Sequence, residues 1–227
     1  MSKRRVLLVV IGLGVLGFAL DLWSKYAVYG WLYHQRQPSA EGPVQAWAKV
    51  PRWYDREEQF LPGGRCDVIP GWFGLIAEFR NAEVQPNPLA PLQAMSAPLL
   101  PHVNQGALFG MGGEYGESAN TVYAAVSFAA ALGIITWTFL RGQTAGRTVA
   151  VALGFILGGT LGNCYDRVVF QGVRDFLYFY KINWPVFNVA DCCLVCGAAL
   201  LVLHAVFAPT PAKPTPITPA ATPQVAV

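Results

Sequence analysis

Three aspartates (Asp166, Asp175, Asp191), two asparagines (Asn163, Asn188) and Arg167 fall within residues 158–191, between two long apolar segments. Carboxylates are costly to bury, so their position beside apolar sequence asks for a reason. In a helical reading Asn163 and Asp166 are three apart, as are Asn188 and Asp191, so each pair shares a face. Any one of these residues alone reads more readily as a solvated loop side chain or a helix cap. Three carboxylates bracketed by two spans are harder to assign that way. Two carboxylates in a site of low dielectric do not comfortably both ionise: one keeps a proton while the other stays charged, and together they can activate water and protonate a leaving amine. That is aspartic-protease chemistry. Neighbouring amides and an arginine can position a peptide carbonyl or hold the carboxylates in place. A serine or cysteine nucleophile fits less well, because His34, His102 and His204 are scattered and leave no obvious base.

The elements that must position these groups are membrane spans. Of 227 residues 54% are hydrophobic and only 13% charged, against roughly 25% in a soluble domain. Net charge is +3, too mild to argue for nucleic acid, and neither a basic stripe nor a nucleic-acid motif occurs. The five cysteines, Cys66, Cys164, Cys192, Cys193 and Cys196, are odd in number and do not suggest a disulfide framework. The cluster at 192–196 reads as small apolar packing surface rather than a metal site, so no metal is expected.

Lys3, Arg4 and Arg5 precede an unbroken apolar run, residues 6–20, and Asp21, Trp23 and Lys25 follow it. Positive charge flanks the cytoplasmic side of spans, which places the amino terminus in the cytoplasm and Asp21 near the far interface. A small-residue cleavage pattern is missing, so this is an uncleaved span, about 6–26. Asp21 and Lys25, four apart, form either an interfacial ion pair of small value or support for a site. Residues 29–118 contain no run long enough to cross a bilayer and form an extracytoplasmic region. Within it 66–79 reads as β-capable, and the proline-rich 82–101 as a surface excursion. Further spans fall at about 120–140, 148–166 and 187–207, the last with Asp191 about one turn inside it. Gly158, Gly159 and Gly162 allow a neighbouring helix to approach the third span closely. Between the third and fourth spans, 167–185 alternates aromatic and polar residues, as an extended segment resting at the interface does. The tail, 209–227, is rich in Pro, Thr and Ala, which favours disorder. The whole reads as one membrane-embedded domain over 1–208. With four spans and a cytoplasmic amino terminus, both termini are cytoplasmic, and Asp21, Asn104, Asn163, Asp166, Arg167, Asp175, Asn188 and Asp191 converge at the outer leaflet.

Five ordered blocks then resemble the bacterial lipoprotein signal peptidases (signal peptidase II, membrane aspartyl peptidases): DLWSK at 21–25, NQGALFG at 104–110, GGTLGNCYDR at 158–167, VRDF at 173–176 and FNVAD at 187–191. The resemblance implies four helices with a small extracytoplasmic β-rich platform and a loop over the site. It implies an enzyme of the bacterial inner membrane that cleaves diacylglyceryl-modified prolipoproteins just before the lipidated cysteine. The dyad it implies is the aspartate of the VxDF-like block, Asp175, with that of FNxAD, Asp191. Asp21, Lys25, Asn104, Gly106, Asn163, Asp166, Arg167 and Asn188 would shape and support the site. No metal or organic cofactor is implied; the partners are the prolipoprotein and membrane lipid, not nucleic acid, and the enzyme is expected to act as a monomer. Three departures stand out: Leu108 replaces the second alanine of NxGAAFG, Gly172 lies one place closer to Asp175 than the usual glycine, and extra sequence falls around 33–62 and 82–101. Two other classes are weighed beside the enzyme: an inactive lipoprotein-binding relative, and a proton-coupled carrier, since paired intramembrane carboxylates also relay protons.

Overall fold

The structure is a computed structural model that describes residues 1–35, 60–80, 88–97, 99–106, 115–142 and 145–207. The insertion at 36–59, the first part of 82–101, Leu108 and the tail from 208 lie outside the described residues. Among the described residues four helices are long and apolar enough to cross a membrane: α1 (Lys3–Gln35), α3 (Glu117–Arg141), α4 (Arg147–Val169) and α5 (Val189–Phe207).

Helix α4 is the hub. Its glycines remove the side chains that would hold its neighbours away. A Cβ on Gly158 would lie 3.0 Å from the Gly14 carbonyl and the Gly17 Cα of α1, and one on Gly159 would lie 2.4 Å from the Ala190 carbonyl of α5. Backbones that approach this closely pack without help from a hydrophobic drive between helices. Toward the first residues of α1 the bundle closes on an apolar cluster, Val6 and Val10 with Ala131, Ala150 and Leu157.

Helix α1 runs nine residues past the expected end at 26, to Gln35. Hydropathy falls after Leu20 because one face of the last turns packs on protein: Tyr29 and Leu32 are buried against Ala77, Phe79, Ala97 and Phe176. Their partner is a small antiparallel sheet. Strands β1 (Phe60–Ile69) and β2 (Phe73–Arg80) form a hairpin. The turn between them has Pro70 followed by Gly71 at φ 78°, and the Trp72 N–H closes it on the Ile69 carbonyl at 3.0 Å. That is the sequence a type II turn needs. On the other edge of β2 two short strands follow one another, β3 (Leu100–Pro101) opposite Phe79 and Arg80, and β4 (Leu177–Tyr178) opposite Gly74 and Leu75.

The described part of 82–101 corrects the expectation of a surface excursion. It forms a short helix, α2 (Ala90–Ala94), and then β3, and Ser96 and Ala97 are buried. Leu89 and Leu92 pack against Val169 and Phe170 at the end of α4, and Gln93 Nε2 donates to the Val169 carbonyl at 2.7 Å. Proline and loop-like composition hid apolar positions that find a tertiary partner. Residues 167–185 also differ in part. Arg167 to Val169 still belong to α4, and a 3₁₀ turn (Tyr180–Ile182) follows β4, so the extended stretch is shorter than the alternation suggested.

Candidate active site

Asp175 sits on an extended segment held on both sides by backbone. Val173 and Asn104 exchange N–H···O bonds at 2.8 Å each; the Phe176 and Leu177 amides both donate to the Phe187 carbonyl; the Ile76 amide donates to Phe176 O at 2.9 Å. The side chain of Tyr29 adds a bond from its hydroxyl to the Asp175 carbonyl at 3.0 Å. A carboxylate carried by such a segment has little freedom to wander. Its oxygens accept from Asn188 Nδ2 at 2.7 Å and from Asn104 Nδ2 at 3.2 Å.

Asp191 comes from the start of α5. The helix begins at Val189, so Asn188 is its N-cap and Asp191 its third residue, closer to the end than the expected full turn inside. The two cap each other: the Asp191 N–H donates to Asn188 Oδ1 at 3.0 Å, and the Asn188 N–H donates to Asp191 Oδ2 at 3.1 Å. This is the reciprocal box that satisfies two otherwise orphaned helix donors. A third donor, the Ala190 N–H, goes to Asp21 Oδ1 at 2.8 Å. The same atoms that start the helix therefore aim the carboxylate.

Two amides join the aspartates. Asn163 Nδ2 donates to Asp191 Oδ1 at 2.9 Å, while Asn188 Nδ2 reaches both Asp175 Oδ1 and Asn163 Oδ1, the latter at 3.2 Å. Burial, and after it the negative charge of Asp191, raise the Asp175 carboxyl to about 7, with the amide bonds from Asn188 and Asn104 and the charge of Lys25 acting the other way. Near neutral pH the Asp175 carboxyl is thus poised between its protonated and charged forms.

Beneath the amides lies an ionic layer. Lys25 and Asp21 are fully buried 2.8 Å apart, and Lys25 also meets Asp166 at 3.3 Å and Asn163 Oδ1 at 3.2 Å. The Asp21–Lys25 pair is therefore buried among the other polar groups of this region, not exposed at the interface. A Cβ on Gly162 would stand 2.5 Å from Asp21 Oδ2, so that glycine makes room for the pair. Arg167 does not contact the two aspartates. Its guanidinium donates to the Gly106 carbonyl at 2.7 Å and to Asn120 Oδ1 at 3.3 Å, and the Gly106 N–H donates to Asn104 Oδ1 at 2.9 Å. Arg167 thereby fixes the turn that carries Asn104.

All ten residues singled out in the sequence fall in this one region. Asp175, Asp191, Asn104, Asn163 and Asn188 form its centre; Asp21, Lys25, Asp166, Arg167 and Gly106 form its supports. Sequence reasoning missed Arg174, Asn120 and Ser96, all buried. For Arg174 a signal existed: the alternation that buries Phe176 and Tyr178, continued two places back, puts Arg174 on the same buried face.

Residues 72–207 match the family model for signal peptidase (SPase) II. The chain belongs to the signal peptidase II family. A lipoprotein signal peptidase of Rhodopirellula baltica is 32% identical over 209 residues, a match covering 85% of this chain and 69% of that protein. One from Aeromonas hydrophila is 42% identical over 108 residues, covering 46% of this chain and 64% of the relative, a little under two thirds of its length. The fold resembles a solved bacterial membrane enzyme at TM-score 0.54 and 19% identity, with 86% of each chain covered. A second such structure gives TM-score 0.52 at 17% identity, covering 88% of this chain and 96% of the other. Membership makes the chain a multi-pass membrane aspartyl endopeptidase of the signal peptidase II type, acting on prolipoproteins.

Proposed function

We propose that Asp175 and Asp191 are the catalytic dyad of this peptidase, and that it removes signal peptides from diacylglyceryl-modified prolipoproteins by cleaving before the lipidated cysteine. The observation that carries the assignment is the amide bridge: Asn188 donates to Asp175 and to Asn163, and Asn163 donates to Asp191, so two aspartates from different segments share one hydrogen-bonded unit. With one proton between them, charged Asp191 accepts a proton from a water whose oxygen attacks the scissile carbonyl carbon. Protonated Asp175 gives its proton to the carbonyl oxygen. Collapse of the resulting diol breaks the C–N bond; the diol proton returns to Asp175 and the proton on Asp191 goes to the leaving nitrogen. The pair ends with the single proton it began with. Asn104, Asn163 and Asn188 hold the carboxylates, and Asp21, Lys25, Asp166, Arg167 and Gly106 hold the amides.

The termini are cytoplasmic in this reading and the dyad lies near the outer leaflet, where a lipidated cysteine is presented. The proposed dyad and the amides that join it need no residue from a second copy, and the peptidase acts as a monomer in this reading. A carrier would need its acids to continue across the bundle, whereas the end near Val6 and Val10 is closed by apolar side chains. The deciding experiment compares cleavage of a diacylglyceryl-modified prolipoprotein by the intact protein, Asp175→Asn and Asp191→Asn. Both variants are expected to insert normally and to lose cleavage; substantial product from either would exclude this dyad.

A further inference from the structure

Arg174 occupies the open position of the VxDF-like block, and in this chain it is the largest fully buried side chain among the described residues. Its backbone N–H and its Nε both donate to Asp166 Oδ2, at 2.9 and 3.2 Å, and Nη2 donates to Asp166 Oδ1 at 2.7 Å. Nη1 donates to Ser96 Oγ. The guanidinium carbon lies 3.8 Å from the ring centre of Phe170 and 4.4 Å from that of Tyr26.

The charge balance shows what this arrangement does. Asp21, Asp166 and Lys25 are buried together, two carboxylates with one ammonium, and a buried carboxylate without a counter-charge is strongly unfavourable. Arg174 brings the layer to two of each sign. Lys25 is shared three ways, between Asp21, Asp166 and Asn163 Oδ1. Its bond to Asn163 turns that amide so that Nδ2 faces Asp191. An Asp166 left without Arg174 would draw the ammonium toward itself and away from Asn163. On the far side, the bond to Ser96 ties the stretch after α2 to the segment that carries Asp175.

We propose that Arg174 is a positioning residue of this enzyme: by satisfying Asp166 it leaves Lys25 free to orient Asn163 against Asp191, and by binding Ser96 it fastens the α2–β3 segment to the extended stretch that carries Asp175. The proposal rests on Asp175 and Asp191 being the dyad. It is tested by measuring kcat and KM separately on a diacylglyceryl-modified prolipoprotein for full-length Arg174→Gln, Arg174→Lys and Ser96→Ala, beside Asp175→Asn and Asp191→Asn. Misplacement of a catalytic group acts on turnover more than on binding, so Arg174→Gln is expected to lower kcat by about tenfold with KM within about twofold. Arg174→Lys, which keeps the charge, is expected to regain about a third of the lost turnover or more, and Ser96→Ala to lose about threefold in kcat alone. An unchanged kcat in Arg174→Gln, or a lysine variant no better than the glutamine, overturns the proposal. Should Arg174→Gln fail to fold, Ser96→Ala decides: a fall in kcat at constant KM supports the role and an unchanged kcat overturns it. Cleavage surviving in Asp175→Asn or Asp191→Asn brings down the dyad and this inference together. Inactive dyad variants beside an unimpaired Arg174→Gln bring down this inference alone.

Discussion

At the scale of single residues, Gly172 and Gln171 show how the chain accommodates its displaced glycine. Helix α4 ends at Val169 with Phe170 as its C-cap, and the next residue, Gln171, takes φ 60°, the left-handed region where glycine is at ease. Here a glutamine bears that strain, on the order of 1 kcal/mol, and its side chain answers with bonds to Val168 O and from Asn120 Nδ2. The glycine is needed one place later for a different reason: a Cβ on Gly172 would lie 2.7 Å from Val103 Cγ2 and 3.1 Å from the Asn104 carbonyl, inside the bridge that holds Asp175. Gly172→Ala is therefore expected to cost about 1–3 kcal/mol and to reduce cleavage, while Gln171→Gly stays within about 1 kcal/mol of the parent because relieved strain offsets the lost bonds and the freer unfolded chain. Thermal unfolding in detergent with parallel cleavage assays separates the two. Asp175 makes a second prediction. Its carboxyl is raised from 3.8 to about 7 in the folded state, so the folded protein binds more protons than the unfolded one between those values. That contribution to stability is complete below pH 4 or so and is lost as pH rises through about 7. Asp175→Asn removes it, so the decline in melting temperature between pH 5 and pH 8 is expected to flatten in the variant; an equally steep decline would place the raised group elsewhere. Cleavage itself falls as the pair loses its shared proton above about pH 7.

At the scale of elements, close approach does most of the positioning. Gly162→Ala would press on Asp21, whose other oxygen caps α5 at Ala190, so the change is expected to disturb the start of the helix that carries Asp191. A cost of about 1–3 kcal/mol, with cleavage lost faster than stability, is the expected result of comparing unfolding and turnover. How much of this was legible in the sequence depended on what each signal measures. The spans were legible, and so were the polar residues that come together between them, because lipid contact demands apolar runs and buried polar groups stand out against them. The outer turns of α1 were not: hydropathy reports contact with lipid, and those turns contact a sheet. The α2–β3 stretch was misread because proline content speaks to local geometry and not to whether Leu89, Leu92 and Ala97 find a partner. Arg174 escaped because a charge at a span end looks solvated until Asp166 is placed against it.

At the scale of the whole molecule, the proposed orientation, with the sheet outside and both termini in the cytoplasm, is one that labelling can check. Val68 lies exposed on β1, and Lys3 is exposed at the opposite end of α1. With native cysteines replaced, Val68→Cys is expected to react with a membrane-impermeant maleimide in intact spheroplasts and Lys3→Cys only after lysis; the reverse pattern would invert the proposed topology. The ionic layer also bears on how such a chain enters a bilayer. Asp21 and Lys25 neutralise each other within one helical turn, and Asp166 and Arg174 do so eight residues apart at the end of α4. Local pairing lowers the cost of taking these charges out of water, whereas the 3.3 Å contact between Lys25 and Asp166 needs the first and third spans packed together. The same ammonium bonds Asn163, so docking of those two spans is built into the shape of the site.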